Sequence, residues 1–136
     1  MALGPDANVF GYACGLDMTR RDLQQVGKDN RRPWDLGKDV ESGAIIGSVT
    51  QASAFGDVVE QVIELTVNGG LRQRGQLSEM VWSVSEIIAH LSGFYQLGAG
   101  DLIMMGTPSG VGPVVPGDKI EGRIAGLQPV RLTIAV

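Results

Sequence analysis

The sequence predicts a single α+β domain that is mainly β, with one long and one short helix. Short apolar runs separated by turn residues recur along the chain, and the 20 glycines fall between these runs without forming repeats. Strand and helix patterns do not alternate, which disfavours a doubly wound parallel sheet. A length of 136 residues fits one domain, because a chain of that size can bury about two-thirds of its unfolded surface.

Composition and charge disfavour several classes of protein. Apolar residues make up 43% and charged residues 19%, which is ordinary for a globular chain and argues against disorder. The net charge of −4 argues against a nucleic-acid partner, since such a partner needs a basic face. No apolar run approaches the ~20 residues of a membrane span, and no signal peptide is visible. The sole cysteine, Cys14, cannot form an internal disulfide, so we expect a reducing, cytoplasmic setting.

The first elements are a strand and the short helix. Residues 9–15 are small, aromatic and β-branched, which predicts a buried strand. Residues 19–26 fit the short helix. Thr19 is its expected N-cap, with Asp22 three positions on in place of the Glu or Gln of a capping box.

The middle of the chain predicts a β-hairpin after one further strand. Residues 43–50 are apolar and rich in β-forming side chains. Residues 58–68 contain a polar and apolar alternation, which is typical of a half-buried strand. Asn-Gly-Gly at positions 68–70 is a tight-turn signal, so residues 71–74 should form the returning strand.

The long helix is predicted at residues 78–91. Its apolar side chains share one helical face: Met80, Val84, Ile87, Ile88 and Leu91. A later start is also open, because Ser83 and Glu86 have the spacing of a capping box. His90 lies one helical turn after Glu86, where the two could form a general-base pair or, as we favour, an ordinary contact on the helix surface.

The last third of the chain predicts three strands and a glycine-rich loop. Residues 101–106 fit a buried strand, and residues 114–122 and 127–136 fit two more. The loop at 106–112 contains Gly, Pro and Ser, so its backbone can approach a ligand closely. Thr107 offers a hydroxyl and an amide to a carboxylate, although the same sequence also suits a plain turn.

Two further side chains could carry chemistry. Asp17 ends the first predicted strand, where its carboxylate could bind a hard cation or could cap the next helix. One carboxylate alone is a weak magnesium site. Lys38 lies in a polar loop, where it could stabilise an enolate or could simply be solvated. Cys14 lies among small residues and fits a packing role.

Several segments, in order along the chain, resemble the fumarylacetoacetate hydrolase family. Residues 10–24 are similar to its strand that ends in a metal-binding Asp, followed by an Arg-Asp-x-Gln helix. Residues 33–38 resemble its Gly-Lys loop. Residues 67–69 with residues 72–73 resemble its hairpin. Residues 97–112 resemble its signature of Gly-Asp-Leu-Ile, Gly-Thr-Pro and Gly-Val-Gly.

The resemblance covers about residues 10–136 and implies a mixed β-roll of the family's C-terminal-domain type, a β-rich roll with a few helices. Residues 1–136 would form a single partial catalytic domain. Asp17 would be a ligand of Mg²⁺ or Mn²⁺, and Lys38 would be catalytic and hold negative charge. Gln24 and Thr107 would bind substrate. The implied partners are a small 2-oxo acid and a second copy of the chain in a homodimer.

The segments LDMTRRD and RPWDLGK look most like the family's fumarylpyruvate hydrolases of aromatic-acid breakdown. The implied reaction is metal-dependent cleavage of a carbon–carbon bond in an acylpyruvate such as fumarylpyruvate. It would release pyruvate and an acid such as fumarate. Isomerases and decarboxylases of the same family act on related 2-oxo acids and share the metal and the enolate, so they are an alternative.

Two family motifs are missing before Asp17. The family has a Glu-x-Glu pair of metal ligands upstream of the Asp and a water-activating His-x-x-Glu further upstream, whereas the only acidic residue before Asp17 is Asp6. Val40-Glu41 also replaces the usual Phe-Asp after the Lys38 loop, and Gly69-Gly70 replaces Gly-Glu. We therefore expect an N-terminally truncated family member. A further alternative is that the chain is a fragment without catalytic activity.

Overall fold

The computed structural model describes residues 1–135, which form nine short β-strands and four α-helices. The strands are β1 (Ala2–Leu3), β2 (Val9–Tyr12), β3 (Gly15–Asp17), β4 (Ala44–Ile46), β5 (Thr50–Gln51), β6 (Val62–Val67), β7 (Gly70–Gln76), β8 (Lys119–Ile124) and β9 (Val130–Thr133). The helices are α1 (Arg21–Asp29), α2 (Asp35–Lys38), α3 (Ala52–Phe55) and α4 (Val84–Ser92). Within the described part of the chain, each helix is too short or too polar to cross a membrane.

The strands form three antiparallel sheets. The largest has the order β7-β6-β8-β9, and the others are β1-β2-β5 and β3-β4. The main core lies where β3 packs on the largest sheet, and its buried residues are Cys14, Leu16, Val67, Ile120 and Val130. Gly122 of β8 allows this packing, because a Cβ there would lie 3.2 Å from the Cys14 sulfur. Cys14 is buried in this core, as its predicted packing role requires, and burial raises the pKa of its thiol.

The mainly β, α+β class is confirmed, but the prediction of one long and one short helix is wrong. Two helices, α1 and α4, have nine residues each, and α2 and α3 have four each. The later start of α4 is confirmed, because the Ser83 side chain accepts a hydrogen bond from the Glu86 amide and the Glu86 carboxylate accepts one from the Ser83 amide. This capping box sets the start of α4 at Val84, and residues 77–79 form a separate 3-10 turn.

Two predicted strands differ from the structure. Residues 101–106 form only an isolated bridge, between Leu102 and Ala2, because their neighbour β1 is two residues long and cannot continue the ladder. The strand predicted at 9–15 is divided into β2 and β3, which pair with different strands. Of the strand predicted at 127–136, β9 forms the central part, and Val136 lies outside the described residues.

The beginning of α1 also differs from the prediction. Arg20, and not Thr19, is the N-cap, and it makes no side-chain capping bond. Thr19 instead accepts a hydrogen bond from Lys38, and Asp22 is bound by the Arg20 guanidinium at 3.0 Å. Tertiary partners and a neighbouring charge therefore take the side chains that local spacing assigned to a cap.

Candidate active site

An open cleft of about 710 Å³ lies between the β3–α1 region and the strand β7 with its adjoining loop. Its walls include the four side chains that the sequence singled out: Asp17, Gln24, Lys38 and Thr107. They come from the end of β3, the middle of α1, the last residue of α2 and the loop after residue 106. Four separate parts of the chain therefore meet at one cavity, although their roles there remain predictions.

Lys38 and Asp17 form an ion pair at the cleft. The Lys38 ammonium donates to the Asp17 carboxylate at 2.5 Å and to the Thr19 hydroxyl at 3.0 Å. The two charged side chains are 33% and 49% exposed, so their pairing contributes little to stability. The pair does hold the Lys38 ammonium at a defined point of the cleft wall, beside the Asp17 carboxylate that balances its charge.

Gly37 explains how Lys38 reaches this position. A Cβ at Gly37 would lie 2.9 Å from the Gln24 backbone nitrogen, so only glycine lets α2 pack this closely on α1. The Arg20 amide also donates to the Gly37 carbonyl at 2.9 Å, which ties the start of α1 to α2. Close packing of two short helices therefore positions the lysine beside the end of β3.

Gln24 is buried, and one of the two polar atoms of its side-chain amide already has a hydrogen-bond partner. Its side chain is 7% exposed, and its carbonyl oxygen accepts a hydrogen bond from the Arg21 guanidinium at 3.0 Å. The amide nitrogen is therefore the group that Gln24 can offer to a ligand in the cleft. Sequence reasoning gave Arg21 no separate role, and the three-residue spacing on a helix was the signal that the two side chains could meet.

Thr107 is exposed and has one buried partner. The Gln73 side-chain amide donates to the Thr107 hydroxyl oxygen at 2.8 Å and to the Pro108 carbonyl at 2.6 Å. Gln73 is 8% exposed and also lines the cleft. Sequence reasoning missed it, although Arg72-Gln73 belongs to the hairpin resemblance.

A β-bulge in the hairpin brings Gln73 to the cleft. Leu65 pairs with Gln73 and Thr66 pairs with Leu71, so Arg72 is left as the extra residue of β7. A bulge breaks the alternation of side chains along a strand and can turn neighbouring residues toward one side. Arg72 and Gln73 both line the cleft as a result.

The acidic side chains of the cleft do not form a metal site by themselves. Besides Asp17, the wall contains Asp22, which pairs with Arg20, and Glu64, which pairs with Arg74. The hydrogen bond from Arg20 lowers the pKa of the Asp22 carboxyl. Among residues 1–135, no three His, Cys, Asp or Glu side chains are grouped closely enough to hold a metal ion. A divalent cation needs more oxygen ligands than Asp17 supplies, so the described residues do not fit one unaided.

His90 lies outside this cleft and forms no general-base pair. Its ring packs against Trp82 at a centroid distance of 4.7 Å and against Phe94 at 5.2 Å. Glu86 is occupied with the Ser83 cap. His90 is exposed on the helix surface, as preferred, but the expected contact with Glu86 is not formed among the described residues.

The fold and the cleft define a mainly β, α+β domain whose open cleft is lined by the Lys38–Asp17 ion pair. Residues 6–135 match the family model described as fumarylacetoacetate (FAA) hydrolase C-terminal. The chain belongs to this family, which confirms the resemblance of its motifs.

Two curated relatives and one solved structure show the range of similar proteins. The chain is 52% identical to a fumarylpyruvate hydrolase from Ralstonia sp. over 93% of this chain and 65% of the relative. It is 40% identical to a mitochondrial oxaloacetate tautomerase from Oryza sativa subsp. japonica over 93% of this chain and 56% of the relative. A fumarylpyruvate hydrolase from Pseudomonas aeruginosa, solved with Mn²⁺ and pyruvate, superimposes with a TM-score of 0.94 at 39% identity. That superposition covers 99% of this chain and 62% of the other. The chain therefore spans less than two-thirds of the length of each of these relatives.

Proposed function

We propose that this chain forms the pyruvoyl-binding part of a metal-dependent acylpyruvate hydrolase that acts on substrates such as fumarylpyruvate. The observation that carries the proposal is the Lys38–Asp17 contact in the same cleft as Gln24 and Thr107. The 52% identity to the Ralstonia hydrolase supports the substrate class, and the Mn²⁺ and pyruvate in the Pseudomonas structure support the cation and the ligand.

Each cleft residue has a task that its chemistry suits. Thr107 and Gln24 donate hydrogen bonds to the oxygens of the pyruvoyl group. In the reaction, water adds to the distal carbonyl carbon, the carbon–carbon bond to the methylene breaks, and its electron pair becomes the enolate of pyruvate. Lys38 stabilises the negative charge that develops on that enolate oxygen. The acyl group leaves as a carboxylic acid, and the enolate then takes a proton to give pyruvate.

Binding of pyruvate tests the proposal directly. We expect pyruvate to bind the purified chain with a Kd of about 1 mM, because a small ligand held by a few charged and polar contacts gains roughly 4 kcal/mol. Titration of the ¹⁵N-labelled chain should shift the amide signals of Thr107, Gln24 and Lys38. Acetate, which lacks the keto oxygen, is the matched control ligand. Equal binding of acetate, or no shifts at these three residues, contradicts the proposal.

The cation is proposed as Mg²⁺ or Mn²⁺, with Asp17 as one of its ligands. Because the described residues supply only one carboxylate, and Lys38 competes for it, we expect the 136-residue chain to bind Mn²⁺ with a Kd of about 1 mM or weaker. Isothermal titration measures this, with Asp17→Asn as the control. Micromolar binding would show that the chain forms a complete metal site. Absence of both cation and pyruvate binding would favour a non-catalytic fragment.

A second function within the family is tautomerisation or decarboxylation of a 2-oxo acid such as oxaloacetate. The 40% identity to the Oryza tautomerase favours it specifically. The cleft residues serve both reactions, because both pass through an enolate held by a positive charge. Assays of fumarylpyruvate, oxaloacetate and a hydroxymuconate, run side by side on one preparation, separate hydrolase from tautomerase, decarboxylase and isomerase activity.

We further propose that the protein is a cytoplasmic homodimer that binds neither nucleic acid nor membrane. The family resemblance supports the dimer, and the buried free thiol of Cys14 suits a reducing compartment. The net charge of −4 supports the absence of a nucleic-acid partner.

A further inference from the structure

We propose that Gln73 is a positioning residue that orients the Thr107 hydroxyl so that it donates to the ligand carboxylate. The inference rests on the proposed function, in which Thr107 binds the pyruvoyl group, and it adds a residue that the family motifs left without a role.

The Pro108 carbonyl decides which way the Gln73 amide faces. A backbone carbonyl oxygen can only accept, so the group 2.6 Å from it must be the Gln73 nitrogen and not its oxygen. The same nitrogen lies 2.8 Å from the Thr107 hydroxyl oxygen. Its two hydrogens therefore serve Pro108 and Thr107, one each.

The direction of the hydrogen bond from Gln73 determines where the Thr107 hydroxyl can donate its own hydrogen. A hydroxyl has one hydrogen to give. Because its oxygen already accepts from Gln73, the Thr107 hydrogen points away from the buried amide and is free to donate to another group. Thr107 is exposed on the cleft wall, so the acceptor that suits it there is a ligand oxygen. A carboxylate is the acceptor with the strongest hydrogen bonds.

The loop that carries Thr107 depends on β7 for its position. Gly106, Thr107 and Pro108 line both the cleft and a second, mainly apolar cavity of about 500 Å³, so cavities adjoin the loop on two sides. Two of its closest contacts are with β7. A Cβ at Gly75 would lie 3.1 Å from the Pro108 side chain, and one at Gly110 would lie 2.1 Å from the Arg72 carbonyl. Gln73 lies between these two contact points and is the buried polar link among them.

A double-mutant cycle on the full chain separates orientation of the hydroxyl from general support of the loop. Gln73→Met keeps the length of the side chain and removes the donor. We expect it to weaken pyruvate binding about five-fold in the NMR titration, and Thr107→Val to weaken it about ten-fold. The double variant should bind no more weakly than Thr107→Val alone, since the hydroxyl that Gln73 orients is then absent. Thr107→Ser retains a hydroxyl, so Gln73→Met should again cost about five-fold in that background.

The same mutant cycle can also contradict the inference. If Gln73→Met weakens binding by the same factor with and without the Thr107 hydroxyl, Gln73 acts by holding the loop and the inference is wrong. Gln73→Glu is a second variant in case the methionine variant does not fold. It places an acceptor where the donor was, so Thr107 should turn its hydrogen toward residue 73. Removal of the Thr107 hydroxyl should then cost no further affinity, and a further ten-fold loss contradicts the inference.

The inference and the proposed function fail in different ways. A wild-type chain that does not bind pyruvate contradicts the proposed function. The hydroxyl orientation is measured without ligand, by neutron diffraction from crystals of the wild-type chain in D₂O. We expect a deuteron of Gln73 directed at the Thr107 oxygen and the Thr107 deuteron directed into the cleft. A Thr107 deuteron directed at Gln73 would overturn the inference even if pyruvate binds.

Discussion

Replacing Lys38 with methionine should weaken pyruvate binding roughly 30-fold, which corresponds to about 2 kcal/mol. The substitution removes the positive charge that faces the ligand. In the wild-type chain the Asp17 carboxylate accepts a hydrogen bond from Lys38 at 2.5 Å. The substitution removes this partner, so the unpaired carboxylate then repels the anionic ligand. The NMR titration with pyruvate measures the loss.

Lys119→Met is the matched control for this prediction. It removes the same charge from β8, and Lys119 does not contribute to the described wall of the cleft. It should leave pyruvate affinity within about two-fold of the wild type, because exposed charges at a distance are screened. The double variant Lys38→Met, Asp17→Asn should recover part of the affinity, since the unpaired carboxylate is gone. Equal losses for the two single lysine variants would mean that Lys38 acts only through net charge.

Replacing Gly110 with alanine should lower the free energy of unfolding by roughly 2–4 kcal/mol. Gly110 has a φ of +102°, where a side chain is strained, and its Cβ would lie 2.1 Å from the Arg72 carbonyl oxygen of β7. Either the loop detaches from β7 or the strand shifts. Urea unfolding measures the stability change. The pyruvate titration should show an accompanying loss of affinity, because Thr107 moves with the loop.

Gly112→Ala is the control from the same loop. No atom lies within 4 Å of a Cβ at Gly112, and its φ is outside the range that strains other residues. We expect its free energy of unfolding to change by less than about 0.5 kcal/mol. If both alanine variants are equally stable, the contact between the loop and β7 is weaker than the geometry indicates.

Local patterns predicted those elements whose hydrogen bonds are local. Asn68 and Gly69 adopt positive φ angles of 51° and 80°, and the turn they form joins β6 to β7 as their sequence indicates. Ser83 and Glu86 form the capping box that the sequence offered as an alternative helix start, since both of its bonds span three residues. The prediction that this helix begins at residue 78 is wrong. The apolar spacing that begins at Met80 continues across the capping box, so the spacing alone does not reveal the later start.

Long-range partners explain the local predictions that failed. Thr19 has the chemistry of an N-cap, but Lys38 lies 19 positions further on and takes its oxygen. The apolar segment after residue 100 has the composition of a strand, yet its partner β1 is too short to extend the pairing. Neither competitor is visible within the window of residues from which a helix or strand is predicted.

The sequence by itself determined the family, the mainly β class and the four candidate residues Asp17, Gln24, Lys38 and Thr107. Motif order and residue chemistry carry that information along the chain. Only the tertiary structure decided that Lys38 contacts Asp17 and that Gln73 donates to Thr107, across 21 and 34 positions. Such contacts depend on how closely α2 packs on α1 and on a bulge in β7. Packing and register of this kind arise from the whole fold, so no single segment specifies them.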